Sequence, residues 1–205
     1  ILKIYSKLKE KTPENKIWLE LPMNTNEFYE FSNIPPQLYF TSPEHNIGES
    51  ILTSMNIKEN EKFICFHARD KSYMEKLFPN QDNEKHIYRN SEIKNCIPAV
   101  EFITKSNIWA LRMGAIVERP IISKNPKIID YATNHRSDFG DIFLIKHCKF
   151  FLSNTYPGIA AAASMLGTPI VAPNIIPIGV IPLNKKDLFI PMKYKDIKTN
   201  SILSY

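Results

Sequence analysis

The chain has 205 residues, 43% of them apolar and 23% charged, with a formal net charge of +5. That suffices for one domain of about 150 residues and an arm, but is short for two; the mild charge, with no dense basic stripe interleaved with aromatics, argues against nucleic acid as a partner. No apolar run approaches the roughly 18 residues of a membrane span, and the widely spaced Cys65, Cys96 and Cys148 read as reduced core thiols rather than a metal site or a disulfide scaffold.

Residues 1–45 hold Pro13, Pro22, Pro35, Pro36 and Pro43 among Trp18, Phe28, Tyr29, Phe31, Tyr39 and Phe40. Such a composition predicts an extended arm or linker that packs on a neighbouring surface. The first residues lack the basic-then-apolar layout of a signal peptide, so the expected location is cytoplasmic. There is no initiator Met either, which leaves open a piece of a longer protein.

Residues 46–205 read as the folded domain. Ile51, Leu52, Met55 and Ile57 mark a helical face, and Phe63-Ile64-Cys65-Phe66 is a short apolar run with strand character. A polar connection of twenty-one residues follows, from Asp70 to Asn90. Connections that long are uncommon in compact α/β domains and are often functional. A helix is expected over 91–105, starting near Asn95 or kinked there because of Pro98. Further strands are expected at Ile108–Arg112, Ile128–Tyr131, Phe150–Ser153, Pro169–Ala172 and Leu188–Ile190, with helices at 138–146 and 157–167. Short apolar runs alternating with helical stretches predict a Rossmann-like α/β fold, a parallel sheet with helices on both faces.

All five Arg residues, at 69, 89, 112, 119 and 136, lie in the middle third, and Lys supplies the other basic positions. Where Lys is the default surface charge, Arg points to a need for its planar fork, which suits phosphate or carboxylate. Two predicted strands end in Arg. Phe66-His67-Ala68-Arg69-Asp70-Lys71-Ser72-Tyr73 leaves a buried strand where open α/β sheets bind ligands. Arg69 can fork onto a diphosphate there, His67 can act as base or orient a hydroxyl, and Asp70 and Tyr73 stand beside them. Leu111-Arg112-Met113-Gly114 repeats the pattern, with Gly114 allowing close backbone approach.

Before the helix at 138, Ser137 or Asp138 can cap and Asp141 can complement the helix dipole. Asp138 can alternatively accept from a sugar or ribose hydroxyl in a cleft. Ser153-Asn154-Thr155 precedes Pro157 and a small-residue helix whose free N–H groups, with those three side chains, would cradle phosphate. No Walker-type Gly-Lys-Ser/Thr, Gly-x-Gly-x-x-Gly turn or Asp-x-Asp pair occurs. ATPase activity, ordinary NAD binding and a metal–diphosphate clamp therefore lose support.

The stretches FICFHARDKSY, YRNSEIKNCIPAVEFI, LRMGAIVERP, IIDYA, SDFGDIFLIKHCKFFLSN, GTPIVAPN and DLFIPMKY, taken in order, resemble a family of bacterial glycosyltransferases found among surface-polysaccharide genes. The likeness runs from about Ile57 to Tyr194 and implies the C-terminal, donor-binding half of a GT-B enzyme. His67-x-Arg69 is also similar to the first motif of α1,6- and O-fucosyltransferases, in which the Arg holds the GDP diphosphate. Carried over, the resemblance implies diphosphate binding by Arg69 and donor-cleft positions for Arg112, Asp138 and Ser153.

The resulting expectation is a metal-independent glycosyltransferase, or its donor domain, with a nucleoside-diphosphate sugar as substrate, a glycan acceptor and no cofactor. His67 and Asp138 are the candidate catalytic residues. Arg69, Arg112, Gly114, Ser153, Asn154 and Thr155 are the candidate donor-binding residues, with Asp70, Tyr73, Arg89 and Ser137 as further possibilities. An N-terminal acceptor domain or a second copy of the chain is the expected partner. Two other readings stay open: a non-catalytic nucleotide- or carbohydrate-binding module, and a sugar-nucleotide epimerase, which would need paired acids in one cleft.

Overall fold

The computed structural model describes residues 33, 35–80, 82, 84–176 and 184–203. Most of the expected arm, including Pro13, Trp18, Pro22, Phe28, Tyr29 and Phe31, lies outside them. The described chain opens on α1 (Ser42–Ser54), whose first turn is fixed by the Glu44 carboxylate accepting from the Thr41 N–H at 2.6 Å and hydroxyl at 2.7 Å.

Six strands form one parallel sheet: β1 (Phe63–Ala68), β2 (Trp109–Arg112), β3 (Ile128–Ile129), β4 (Phe151–Asn154), β5 (Ile170–Ile175) and β6 (Leu188–Pro191). Their spatial order is β3-β2-β1-β4-β5-β6, a Rossmann-like arrangement. The order reverses between β1 and β4, which is where such sheets open a crevice at their carboxyl ends. β1 lies at the centre and is buried along nearly its whole length, which is why its sequence is almost continuously apolar.

Alternation along the strands sorts side chains to two cores. Ile64, Phe66, Ala110 and Leu152 pack with Cys96 and Val100, carried by a 3₁₀ turn (Ile93–Cys96) and α3 (Ile97–Thr104). Pro98 falls in the first turn of α3, where its missing N–H costs nothing, so the expected 91–105 helix is divided there. Cys65, Leu111, Met113 and Phe151 face the other way, onto Phe143 and Leu144 of α5 (Asp138–His147) and Ala160 and Ala163 of α6 (Gly158–Met165). Small Ala residues let α6 lie close to the sheet. All three cysteines are buried and free, and burial pushes the Cys96 thiol up to about 11.

The remaining helices are short: α2 (Ser72–Leu77) in the long connection and α4 (Tyr131–Asn134). The strand expected at Ile128–Tyr131 has only two residues, because Asp130 turns aside to an ion pair and Tyr131 opens α4. Among the described residues no helix is long and apolar enough to cross a membrane.

Candidate functional site

A cleft of about 590 Å³ lies on the α5/α6 side of the sheet, at the carboxyl ends of the strands. It is lined by the end of β1, the long connection after it, the loop after β2, and the first turns of α5 and α6. Three interactions shape it. The Asp70 carboxylate accepts from the Ser72 N–H and, 48 residues on, from the Glu118 N–H, both at 3.0 Å, tying the connection to the loop after β2. Arg112 Nη1 pairs with Asp130 at 3.2 Å and donates to the Arg119 carbonyl at 2.6 Å, while Asp130 takes the Ile121 N–H at 2.7 Å. Ser91 is held by the Arg69 carbonyl through its N–H at 2.7 Å and by Asn154 Nδ2 through its hydroxyl at 2.8 Å.

Arg69 and Arg89 both line the cleft, from opposite ends of the connection. Arg69 Nη1 donates to the Asn90 side chain, and Arg89 Nη2 donates to the Tyr156 carbonyl at 3.0 Å. Burial lowers the Arg69 guanidinium from its usual range, and the like charge of Arg89 lowers it further. Pro157, Gly158 and Ile159 bring the start of α6 to the same cleft, and a Cβ placed on Gly158 would meet nothing within 4 Å. Guanidinium groups and helix N-termini are both groups that favour an anion.

His67 also lines the cleft, and burial lowers it to about 4, so the imidazole is neutral at neutral pH. Its Nδ1 is buried without a hydrogen-bond partner among the described residues. Gly114 adopts φ +150°, and a Cβ there would meet Val117 at 2.5 Å, so the turn beside His67 requires glycine. Tyr73 of α2 stands half-exposed at the rim.

Two acids come from the first turn of α5. Asp138 is fully exposed at its side chain, whereas Asp141 is 14% exposed, and Arg136 bridges both. Burial raises Asp141 above the usual carboxylate range, against the lowering effect of Arg136. The sequence reading took Asp141 for a dipole-complementing residue. Its role in the cleft wall was invisible because any acid in a first turn has that explanation.

Four expected positions fall elsewhere. Arg112 is 2% exposed and committed to Asp130 on the α3 side of the sheet, as its register with Phe66 dictates, so it organises the loop after β2 instead of facing the cleft. Ser137 accepts the Gly140 N–H at 3.0 Å and caps α5. Asn154, in register with Ala68, turns to Ser91. Thr155 is buried at φ +66°, an unusual conformation for a β-branched residue, and makes the bend between β4 and α6. Ser153 is fully buried on the cleft side, in register with His67. The start of α6, not the Ser153–Thr155 side chains, therefore forms the exposed part of the expected cradle.

Among the described residues no group of three or more His, Cys, Asp or Glu side chains is placed to hold a metal ion. No family model matches the sequence, and no curated protein matches it. Among solved structures the chain is similar to the glycosyl transferase family 9 protein of Veillonella parvula DSM 2008, with 11% identity and a TM-score of 0.49 over 78% of this chain. The match spans 43% of that protein's length.

Proposed function

We propose that this chain is the donor-binding half of a GT-B glycosyltransferase and holds the diphosphate of a nucleoside-diphosphate sugar. The observation that carries this reading is the convergence of Arg69, Arg89 and the start of α6 on one cleft at the sheet's switch point. The sequence resemblance from Ile57 to Tyr194 supports it independently. In glycosyl transfer the bond from the anomeric carbon to the diphosphate breaks as an acceptor hydroxyl attacks. Fixed positive groups then stabilise the departing diphosphate, a role that Arg69 and Arg89 fill without a metal ion. The acceptor is a glycan, and a cytoplasmic location fits a nucleotide-sugar substrate.

The epimerase reading fares worse. Asp70, Asp138 and Asp141 share the cleft, but backbone N–H groups take both Asp70 oxygens and Arg136 spans the other two acids.

The test is a thermal-shift panel of UDP-, GDP-, ADP- and CMP-sugars, with Mg²⁺ and with EDTA. A ligand at about 100 times its Kd should add roughly 2.7 kcal/mol of stability. Binding should survive EDTA. No shift with any nucleotide would remove the reading, and an affinity loss beyond about tenfold in EDTA, roughly 1.4 kcal/mol, would remove its metal-independent form.

A further inference from the structure

Arg112, Arg119 and Arg136 each pair with an acid: with Asp130 at 3.2 Å, with Glu118 at 3.6 Å, and with Asp138 and Asp141 at 2.5 and 2.9 Å. Arg89 differs. It is half-buried in the cleft wall and has no acid partner among the described residues. What holds it is a backbone carbonyl, that of Tyr156, to which Nη2 donates at 3.0 Å across 67 residues of sequence. A neutral carbonyl fixes the direction of a guanidinium without cancelling its charge. One such bond also leaves most of the fork's N–H donors for a ligand.

The direction of that carbonyl is set by the bend from β4 into α6. Thr155 takes φ +66°, which is costly for a β-branched residue. Pro157 is extended, with φ −75° and ψ 169°, and α6 begins at Gly158. Tyr156 stands between them, its ring packed against the core and its hydroxyl bonded to Oγ of the buried Ser164 in the last turn of α6. The side chain thus anchors the bend to the far end of the helix, while the main chain presents its carbonyl to Arg89. Asn154, on the other flank of Thr155, bonds the Ser91 hydroxyl at 2.8 Å. Both flanks of the bend therefore hold one short stretch, Arg89 to Ser91, at the end of the long connection. Arg89 is fastened two residues before the start of α6, whose Gly158 and Ile159 line the cleft with it.

We propose that Tyr156 is the positioning residue for Arg89: its hydroxyl, tied to Ser164, fixes the bend, and its carbonyl aims the guanidinium at a diphosphate beside the start of α6. The proposal rests on the diphosphate reading of the cleft and adds the residues that set the geometry of one of its two guanidinium groups. Neither Tyr156 nor Ser164 lines the cleft, so both act through Arg89.

Calorimetry with pyrophosphate, UDP, GDP and ADP tests this on Tyr156→Phe and Ser164→Ala, which remove the two sides of one hydrogen bond. Each is made in the unmodified chain and in the Arg89→Lys background. Arg89→Lys keeps the charge but loses the planar fork, so it should weaken binding and leave it measurable. In the unmodified chain both variants should weaken binding roughly three- to tenfold, the scale of one net hydrogen bond. In the Arg89→Lys background each loss should shrink to within about twofold, because a flexible ammonium group does not depend on an aimed carbonyl. Equal losses in the two backgrounds would show that the bond supports α6 in general, and overturn the proposal. No loss from either variant in the unmodified chain overturns it as well. So does an Arg89→Lys chain that binds as tightly as the unmodified one, which leaves the diphosphate to Arg69 and α6. An unmodified chain that binds none of these titrants overturns the diphosphate reading itself. Ser164→Ala places a strong helix former in α6, so it carries the test where Tyr156→Phe fails to fold.

Discussion

Arg69 donates through Nη1 to the Asn90 side chain while its backbone carbonyl takes the Ser91 N–H. The long connection after β1 is thereby closed back onto the residue where it starts, and Arg89 arrives beside Arg69 in the cleft. Burial and the like charge of Arg89 work against the Arg69 guanidinium, whereas Tyr88 and Asp70 favour it. If the Arg69 fork grips a diphosphate, Arg69→Lys keeps the charge but loses the bidentate geometry. Nucleotide affinity should then fall by about 1.5–3 kcal/mol, the range for hydrogen bonds to charged groups, with the fold intact. Equilibrium titration and a thermal melt of the same variant check both halves. A variant that unfolds would make Arg69 a structural group tied to Asn90, with no assigned part in binding.

At the scale of elements, the cleft depends on how α5 is seated, and α1 seats it. Gly48 of α1 lies against the Phe143 ring, where an added Cβ would sit 2.1–2.2 Å from three ring atoms. Phe143 cannot yield easily, since His147 stacks on it at 4.1 Å and Phe40 packs at 5.3 Å. In an unhindered helix Gly→Ala stabilises, by roughly 0.5–1 kcal/mol. Here Gly48→Ala should instead cost about 1–3 kcal/mol, the overpacking range, read by urea unfolding. A gain in stability would show that α1 is free to move off α5.

The same scale explains what was legible in the sequence. Apolar runs such as Phe63–Phe66 located the strands, because a parallel sheet covered on both faces needs little else from them. Arg69 and Arg112 looked alike, each ending a predicted strand. Register separates them: Arg112 pairs with Phe66 and so faces α3, whereas the cleft lies on the side of His67. Spacing within one strand cannot reveal the register between two. Asn154 was misplaced for the same reason, and Ser153, in register with His67, is fully buried. The five clustered arginines separate in the structure. Two of them line the cleft and Arg136 braces its acids, while Arg112 is buried in an ion pair and Arg119 is exposed.

For the molecule as a whole, the described residues build one sheet, with the proposed donor cleft open on one side. In a GT-B enzyme the reacting centre lies between two Rossmann-like domains, and their closure positions the acceptor and excludes water. This chain brings two guanidinium groups, a neutral imidazole and braced acids to one cleft on a single sheet. Of the candidate bases, His67 is held at about 4 by burial, which makes it a weak proton acceptor, and the Asp138 side chain is exposed and paired with Arg136. The expected outcome is therefore that the 205-residue chain binds a nucleotide sugar but does not transfer the sugar by itself. Incubating it with the donor that stabilises it most, across a broad set of glycan acceptors, and following product by mass spectrometry measures this directly. Product well above the donor-hydrolysis background would mean that one sheet supplies acceptor site and base together, and the half-enzyme reading would fall. Donor hydrolysis without transfer would fit a cleft that activates the leaving diphosphate but leaves the anomeric carbon open to water.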